Sequence, residues 1–160
     1  MSSLKLSKRL QVIHDMVPKS VVADVGADHG KLIISLYEDG IILHGYAIEN
    51  KKGPYERLVK AIEEKGLIDE IVPLFSDGIK DIPSIVDTVV IAGMGGSLIV
   101  DILQKSPSKL PQIKTLIVDS HNNVPFLRKK VCDMGFIISD EKIIEEDGIY
   151  YEIIKATKGN

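Results

Sequence analysis

The chain has 160 residues, of which 44% are apolar and 27% charged, a balance that predicts one soluble globular domain over residues 1–160. A net charge of −3 excludes a polycation, and no apolar run approaches the roughly 18 residues that a membrane span needs. The lone Cys132 excludes an internal disulfide and a metal-ligand cluster, and the N-terminus lacks a signal-peptide core, so we expect a cytoplasmic protein that binds no metal and no membrane.

Short β-branched runs alternate with segments of helical apolar spacing along most of the chain. Strands are predicted at residues 21–25, 45–48, 71–75, 88–91, 116–118, 136–138 and 150–154. Helices are predicted at residues 4–16, 31–38, 55–65, 97–105 and 125–134. This alternation indicates an α/β fold with a parallel sheet covered on both faces.

The last two predicted strands break the alternation, because the acidic segment 139–149 between them shows little helical periodicity. We therefore predict that they form an antiparallel hairpin. A Rossmann-like, seven-stranded sheet that is mostly parallel and ends in an antiparallel hairpin is typical of class I methyltransferases rather than of dehydrogenases.

The first predicted strand leads into a glycine-rich turn that carries Asp24, Gly26, Asp28 and His29. Gly26 has no Cβ, so a bound nucleoside can approach the backbone closely. Asp24 and Asp28 would repel a pyrophosphate but attract the sulfonium and ammonium groups of S-adenosylmethionine. Such a turn alone is weak evidence, since it also serves packing.

Acidic residues also follow the next two strands. Glu49, with Asn50 after it, is expected to accept hydrogen bonds from the ribose hydroxyls. Asp77, with Gly78 after it, is expected to accept one from the adenine amino group. Each residue alone is more often a cap or turn residue. Because ligands of open α/β sheets bind at the carboxyl ends of the strands, the acidic residues together favour an adenosyl site.

The fourth strand ends in a loop with no polar side chain. Ala92, Gly93 and Met94 are assigned to the cofactor, and Gly95 and Gly96 to the target base. Enzymes that methylate exocyclic amines usually carry Asn or Asp followed by prolines here. A ring nitrogen is already a nucleophile, so positioning alone supplies much of the rate. A plain strand-to-helix turn is the alternative interpretation.

Together these motifs resemble those of the bacterial tRNA adenine-22 N1-methyltransferases. The similar segments are residues 6–10, 24–29, 53–55 with Glu49, 91–96, 145–148 and 150–152, of which 7–10 and 92–96 are the most diagnostic. The resemblance implies methyl transfer from S-adenosylmethionine to N1 of an adenine in the tRNA D-arm. Since N1 lies on the Watson–Crick edge, a paired target base would have to swing out.

A basic opening segment suits this RNA partner, although charge alone more often marks a solvated helix face. The expected RNA contacts are Lys5, Ser7, Lys8, Arg9, Gly95, Gly96 and Arg128. The chain lacks the C-terminal helical extension that the family usually has, so we expect lower affinity for tRNA unless a partner or a homodimer compensates.

Asp119, Ser120 and His121 stand where the family usually has Gln-Pro-Asn, at the border of the acceptor pocket. Asp119 and His121 are candidate catalytic residues, as acceptors of the N6 proton that N1 methylation makes acidic. Altered specificity or lost activity is the alternative, and a binding module without turnover is therefore the second hypothesis for the whole chain. A small-molecule methyltransferase and an NAD-linked oxidoreductase fit less well, because of the basic opening helix and the acidic turn respectively.

Overall fold

The computed structural model describes residues 5–159. Its helices are α1 (Lys8–Met16), α2 (Lys31–Glu38), α3 (Lys52–Glu64), α4 (Gly96–Gln104) and α5 (Val124–Asp133), with a 3-10 turn at Pro107–Gln112. Its strands are β1 (Val22–Val25), β2 (Gly45–Glu49), β3 (Ile71–Phe75), β4 (Thr88–Ala92), β5 (Thr115–Ser120), β6 (Phe136–Glu146) and β7 (Ile149–Lys158). None of the helices in this part of the chain is long and apolar enough to cross a membrane.

The strands form one sheet in the order β3-β2-β1-β4-β5-β7-β6. Strands β1 to β5 pair in parallel, and β7 lies antiparallel between β5 and β6. This confirms the predicted class I methyltransferase fold. The strand order reverses between β1 and β4, and a reversal of this kind opens a crevice for ligands at the carboxyl ends of the strands.

The central strands are buried on both faces, as a parallel sheet between two helical layers requires. Val22, Ala47, Val90 and Ile117 pack with α1, α2 and α3. Their sequence neighbours, including Ala23, Ile48, Ile91 and Val118, pack with α4 and α5. Since side chains alternate along a strand, Asp24 on β1 and Asp119 on β5 point to the same side as Val22 and Ile117, the side that α1 covers.

The predicted hairpin is confirmed, but its strands are far longer than the sequence pattern indicated. The acidic segment 139–146 belongs to β6, and a two-residue turn at Asp147 and Gly148, with φ of +53° and +80°, leads into β7. Positive φ at both positions and the Asp-Gly pair are typical of a type I′ hairpin turn. Strand β6 forms an edge of the sheet and is mostly exposed, so its sequence lacks the apolar alternation by which a half-buried strand is predicted.

The opening helix starts later than predicted. Leu4 lies outside the described residues, and residues 5–7 precede the helix. The Ser7 hydroxyl accepts a hydrogen bond from the Leu10 N–H at 3.2 Å and therefore caps the helix N-terminus. This cap sets the position of Arg9 in the first turn of α1, close to the carboxyl ends of β4 and β5.

Candidate cofactor and acceptor site

Two cavities that share Gly26 lie at the carboxyl ends of the central strands. The first, of about 600 Å³, is lined among others by Glu49, Asn50, Asp77, Gly78 and Met94. The second, of about 400 Å³, is lined among others by Arg9, Asp24, Asp28, His29, Ala92 and Gly93. All eleven residues predicted to bind the cofactor thus line one cavity or the other, which is the placement expected when parallel strands end at a common edge.

The turn after β1 is held by hydrogen bonds to the end of β2. The N–H groups of Gly26 and Ala27 donate to the Ile48 carbonyl at 2.9 and 3.2 Å. The Asp28 N–H donates to Glu49 Oε2 at 2.7 Å, which ties the turn to the end of β2. Gly26 has φ of +76°, and a Cβ there would lie 2.7 Å from Met94 Cε. The positive φ of this position is the main reason for glycine between the two cavities, since the terminal methyl of Met94 can move aside.

The carboxylates of this site differ in burial. Asp24 is 4% exposed, and burial, followed by repulsion from Glu49, raises the pKa of its carboxyl to about 7. Asp28 and Asp77 are exposed, and Glu49 is half-buried. A buried carboxyl of raised pKa gains most from a cationic ligand, because a positive charge nearby stabilises its ionised form.

The residues that line the two cavities fit an adenosyl cofactor. The first cavity combines the carboxylates of Glu49 and Asp77, which can accept hydrogen bonds, with apolar walls formed by Ile48, Leu98 and Ile102. Among residues 5–159, no group of three or more His, Cys, Asp or Glu side chains is arranged to hold a metal ion.

Arg9, predicted as an RNA contact, lies in a cluster of charges that borders the second cavity. Its Nη1 donates to Asp119 Oδ2 at 2.5 Å, and its Nε lies 3.5 Å from Glu146 Oε2. The backbone N–H of Arg9 donates to Glu146 Oε1 at 3.2 Å, and the guanidinium lies 4.7 Å from the centre of the Tyr151 ring. Sequence analysis did not select Glu146 and Tyr151 as site residues, because no local pattern links them to Arg9.

Asp119 and His121, the two candidate catalytic residues, occupy different environments. Asp119 is 0% exposed, and burial raises the pKa of its carboxyl while the Arg9 guanidinium opposes that rise. It lines neither cavity, and its Oδ1 is buried without a hydrogen-bond partner among residues 5–159. His121 is exposed, and its ring centre lies 5.6 Å from that of Tyr151. Only His121 is thus accessible to a substrate without rearrangement.

Gly95 and Gly96, predicted to face the target base, pack against the loop after β5. The Gly96 N–H donates to Asn122, both to Oδ1 at 3.1 Å and to the carbonyl at 3.2 Å. A Cβ on Gly96 would lie 2.7 Å from the Asn123 carbonyl oxygen, and one on Gly95 would lie 2.8 Å from Asn122 Oδ1. The two glycines therefore allow the β4 and β5 loops to touch, a contact that the sequence did not reveal.

The remaining predicted RNA contacts are spread over the surface. Lys5 and Lys8 are exposed beside the helix cap Ser7. Arg128 is bound to the hairpin, with Nη2 at 2.6 Å from Glu141 Oε1 and 3.2 Å from Glu152 Oε1. It lines neither cavity and so is separate from the candidate site.

Comparison with known proteins agrees with this geometry. A family model described as a methyltransferase domain matches residues 6–154. The Bacillus subtilis (strain 168) tRNA (adenine(22)-N(1))-methyltransferase is 34% identical over 166 aligned residues, covering 100% of this chain and 68% of that protein. The chain belongs to this tRNA methyltransferase family. The resemblance inferred from the sequence motifs is thereby confirmed.

Solved structures of this family are closely similar in fold. The B. subtilis m1A22 tRNA methyltransferase gives a TM-score of 0.93 at 33% identity, covering 99% of this chain and 68% of that one. A Streptococcus pneumoniae protein solved with S-adenosyl-L-methionine gives 0.92 at 36% identity, covering 98% and 74%. The M. capricolum enzyme with S-adenosyl-homocysteine gives 0.87 at 30% identity, covering 96% and 69%. Members of this tRNA methyltransferase family thus share the whole described fold.

Proposed function

We infer that this protein is an S-adenosylmethionine-dependent tRNA methyltransferase that methylates N1 of an adenine. The observation that carries this inference is the convergence of Asp24, Asp28 and Glu49 around the two linked cavities of a chain that belongs to the tRNA (adenine(22)-N(1))-methyltransferase family. S-adenosylmethionine supplies an activated methyl group on a positively charged sulfur. Carboxylates near that charge favour its binding over that of a pyrophosphate nucleotide.

We propose a role in cofactor binding for each acidic residue at the carboxyl ends of the strands. Glu49 accepts hydrogen bonds from the ribose hydroxyls with the oxygen that the Asp28 N–H leaves free. Asp77 accepts one from the adenine amino group, and Asp24 binds the ammonium group in the second cavity. Gly78 lies at the adenine end, where its φ of +61° favours glycine and a Cβ would lie only 3.0 Å from Ile102 Cγ2.

For the acceptor we propose that the adenine lies against Ala92 and Gly93, between the second cavity and the loop after β5. The lone pair of adenine N1 can attack the methyl group without prior deprotonation, so the protein's contribution is to orient the base. The N6 proton then leaves to restore neutrality. His121 is the proposed acceptor of this proton, because its ring is exposed, whereas Asp119 is enclosed and ion-paired with Arg9.

The decisive experiment incubates the purified protein with labelled S-adenosylmethionine and an unmodified tRNA transcript, followed by nucleoside analysis. We expect N1-methyladenosine in this transcript and none in a matched transcript in which adenine 22 is replaced by guanine. Cofactor binding without transfer to any RNA would favour the binding module instead. Equal methylation of both transcripts would contradict the assignment of the target position.

The expectations of a homodimer and of a cytoplasmic location stay predictions. Sedimentation velocity of the purified protein, with and without tRNA, tests the first. Fractionation of the source cells tests the second.

A further inference from the structure

We propose that Arg9 binds the carboxylate of the cofactor's amino-acid group, and that Asp119 acts as a positioning residue that holds the Arg9 guanidinium for this purpose. The proposal rests on the proposed function only in taking S-adenosylmethionine as the cofactor. It gives Arg9 a different role from the RNA contact predicted from the sequence.

The second cavity contains charges of both signs, as a zwitterionic amino acid requires. Asp24 and Asp28 line it together with Arg9 and Lys31. An amino-acid group has an ammonium and a carboxylate on the same carbon atom, so a matching site needs an anion and a cation at close range. Asp24 suits the ammonium, which leaves the carboxylate to be neutralised by a cation.

The backbone of the glycine-rich turn is poorly placed to bind that carboxylate. In many nucleotide-binding folds, free N–H groups of this turn hold the anion. Here the N–H groups of Gly26, Ala27, Asp28 and Gly30 donate to acceptors within the protein, which leaves the His29 N–H as the remaining backbone donor of the turn. With these donors in use, a cationic side chain is the stronger candidate.

Arg9 is better prepared for this role than Lys31. Its side chain is only 19% exposed and is fixed by Asp119, Glu146 and the Tyr151 ring. A guanidinium has five N–H donors, and among residues 5–159 the side chain of Arg9 makes one hydrogen bond, to Asp119. Nε is buried beside Glu146, whereas Nη2 makes no hydrogen bond with residues 5–159 and can donate to a ligand. Lys31 is exposed, so binding an anion would cost it more hydration and side-chain freedom.

The test is titration calorimetry with two ligands that differ in the amino-acid group. S-adenosylhomocysteine carries that group, whereas 5′-methylthioadenosine has the same adenosine and sulfur without it. The comparison is made between Asp119→Asn, whose amide oxygen can still accept the hydrogen bond from Arg9, and the double variant Asp119→Asn/Arg9→Met, so that neither protein contains an unpaired buried carboxylate. We expect the double variant to bind S-adenosylhomocysteine about 10- to 100-fold more weakly, as loss of a charged hydrogen bond predicts. Its affinity for 5′-methylthioadenosine should be unchanged, which also shows that it is folded.

Two further variants sharpen the result. Arg57→Met removes an exposed arginine of α3 that lines neither cavity, and it should leave both affinities unchanged. Lys31→Ala removes the competing cation, and a larger loss of S-adenosylhomocysteine affinity there than in the Arg9 variant would overturn the proposal. An Arg9 variant that keeps full affinity for S-adenosylhomocysteine but binds tRNA less tightly would overturn it in favour of an RNA contact. Wild-type protein that binds S-adenosylhomocysteine but methylates no tRNA would refute the proposed function alone.

Discussion

Two buried carboxylates, Asp24 and Asp119, lie on the same face of the sheet but have different neighbours. Asp119 has a cation within the protein, since Arg9 approaches it at 2.5 Å. Asp24 instead has an anion, Glu49, as its charged neighbour, and burial, followed by repulsion from Glu49, raises the pKa of the Asp24 carboxyl to about 7. An uncompensated buried carboxylate at a cavity is a feature of sites that bind a cation, and it makes binding depend on pH.

This pKa predicts how cofactor affinity changes with pH. Below pH 7 the Asp24 carboxyl is mostly protonated and no longer attracts an ammonium group, so affinity for S-adenosylhomocysteine should fall by about tenfold from pH 8 to pH 6. Calorimetry at several pH values measures this change. The affinity for 5′-methylthioadenosine, which has no ammonium group, should stay constant, and Asp24→Asn should abolish the dependence. A flat profile for S-adenosylhomocysteine in the wild type would show that Asp24 does not bind the ammonium.

At the scale of elements, the start of α4 depends on the loop that follows β5. Gly96→Ala should destabilise the protein by about 1–3 kcal/mol, because the new Cβ would lie within 2.8 Å of two backbone carbonyl oxygens, of Asn122 and Asn123. Urea unfolding measures the difference. Gly53→Ala in α3 is the matched control: its Cβ meets no atom nearer than 3.5 Å, so it should be neutral or stabilising by up to about 1 kcal/mol. Equal stability of the two variants would contradict the role of this contact.

The bounds of helices and strands are predicted well from the sequence where burial imposes a periodic pattern of apolar residues, and less well where the element is exposed. Strands β1 to β4 were predicted to within one residue at each end, because they are covered on both faces or end in conspicuous turns. Strand β6 was predicted as residues 136–138 but extends to Glu146, since its outer half is exposed and tolerates charged residues. The Asp147-Gly148 pair was a usable turn signal, but the acidic residues around it obscured the strands that it joins.

At the scale of the whole molecule, the cofactor cavities were predictable and the acceptor side was not. The carboxyl ends of parallel strands must meet at one edge of the sheet, so the topology alone brings Asp24, Glu49 and Asp77 together. The surroundings of Arg9 depend instead on how α1 packs against the β6–β7 hairpin, which no local pattern encodes. The sequence therefore predicts Arg9, like Lys8, as an RNA contact, whereas the structure separates the two side chains: Lys8 is exposed, and Arg9 lines the second cavity.

That separation predicts different contributions to RNA binding. Lys8 is exposed at the start of α1, so Lys8→Ala should weaken tRNA binding and reduce the slope of log affinity against log salt by about 1. Fluorescence titrations of labelled tRNA at several salt concentrations give this slope. Lys60→Ala, which removes an exposed lysine of α3 outside both cavities, serves as the control. An equal slope for wild type and the Lys8 variant would place the RNA on another surface.

The hydrogen bond and the ion pair between Arg9 and Glu146 join residues that are 137 positions apart in the sequence. During synthesis on the ribosome, the wall of the second cavity is therefore completed only after the hairpin has emerged and folded back onto the first helix. A nascent chain in which all the parallel strands have been synthesised still lacks the contacts between Arg9 and Glu146. With Arg9 in its proposed role, full affinity for the methyl donor is thus acquired only after α1 and the β6–β7 hairpin have come together.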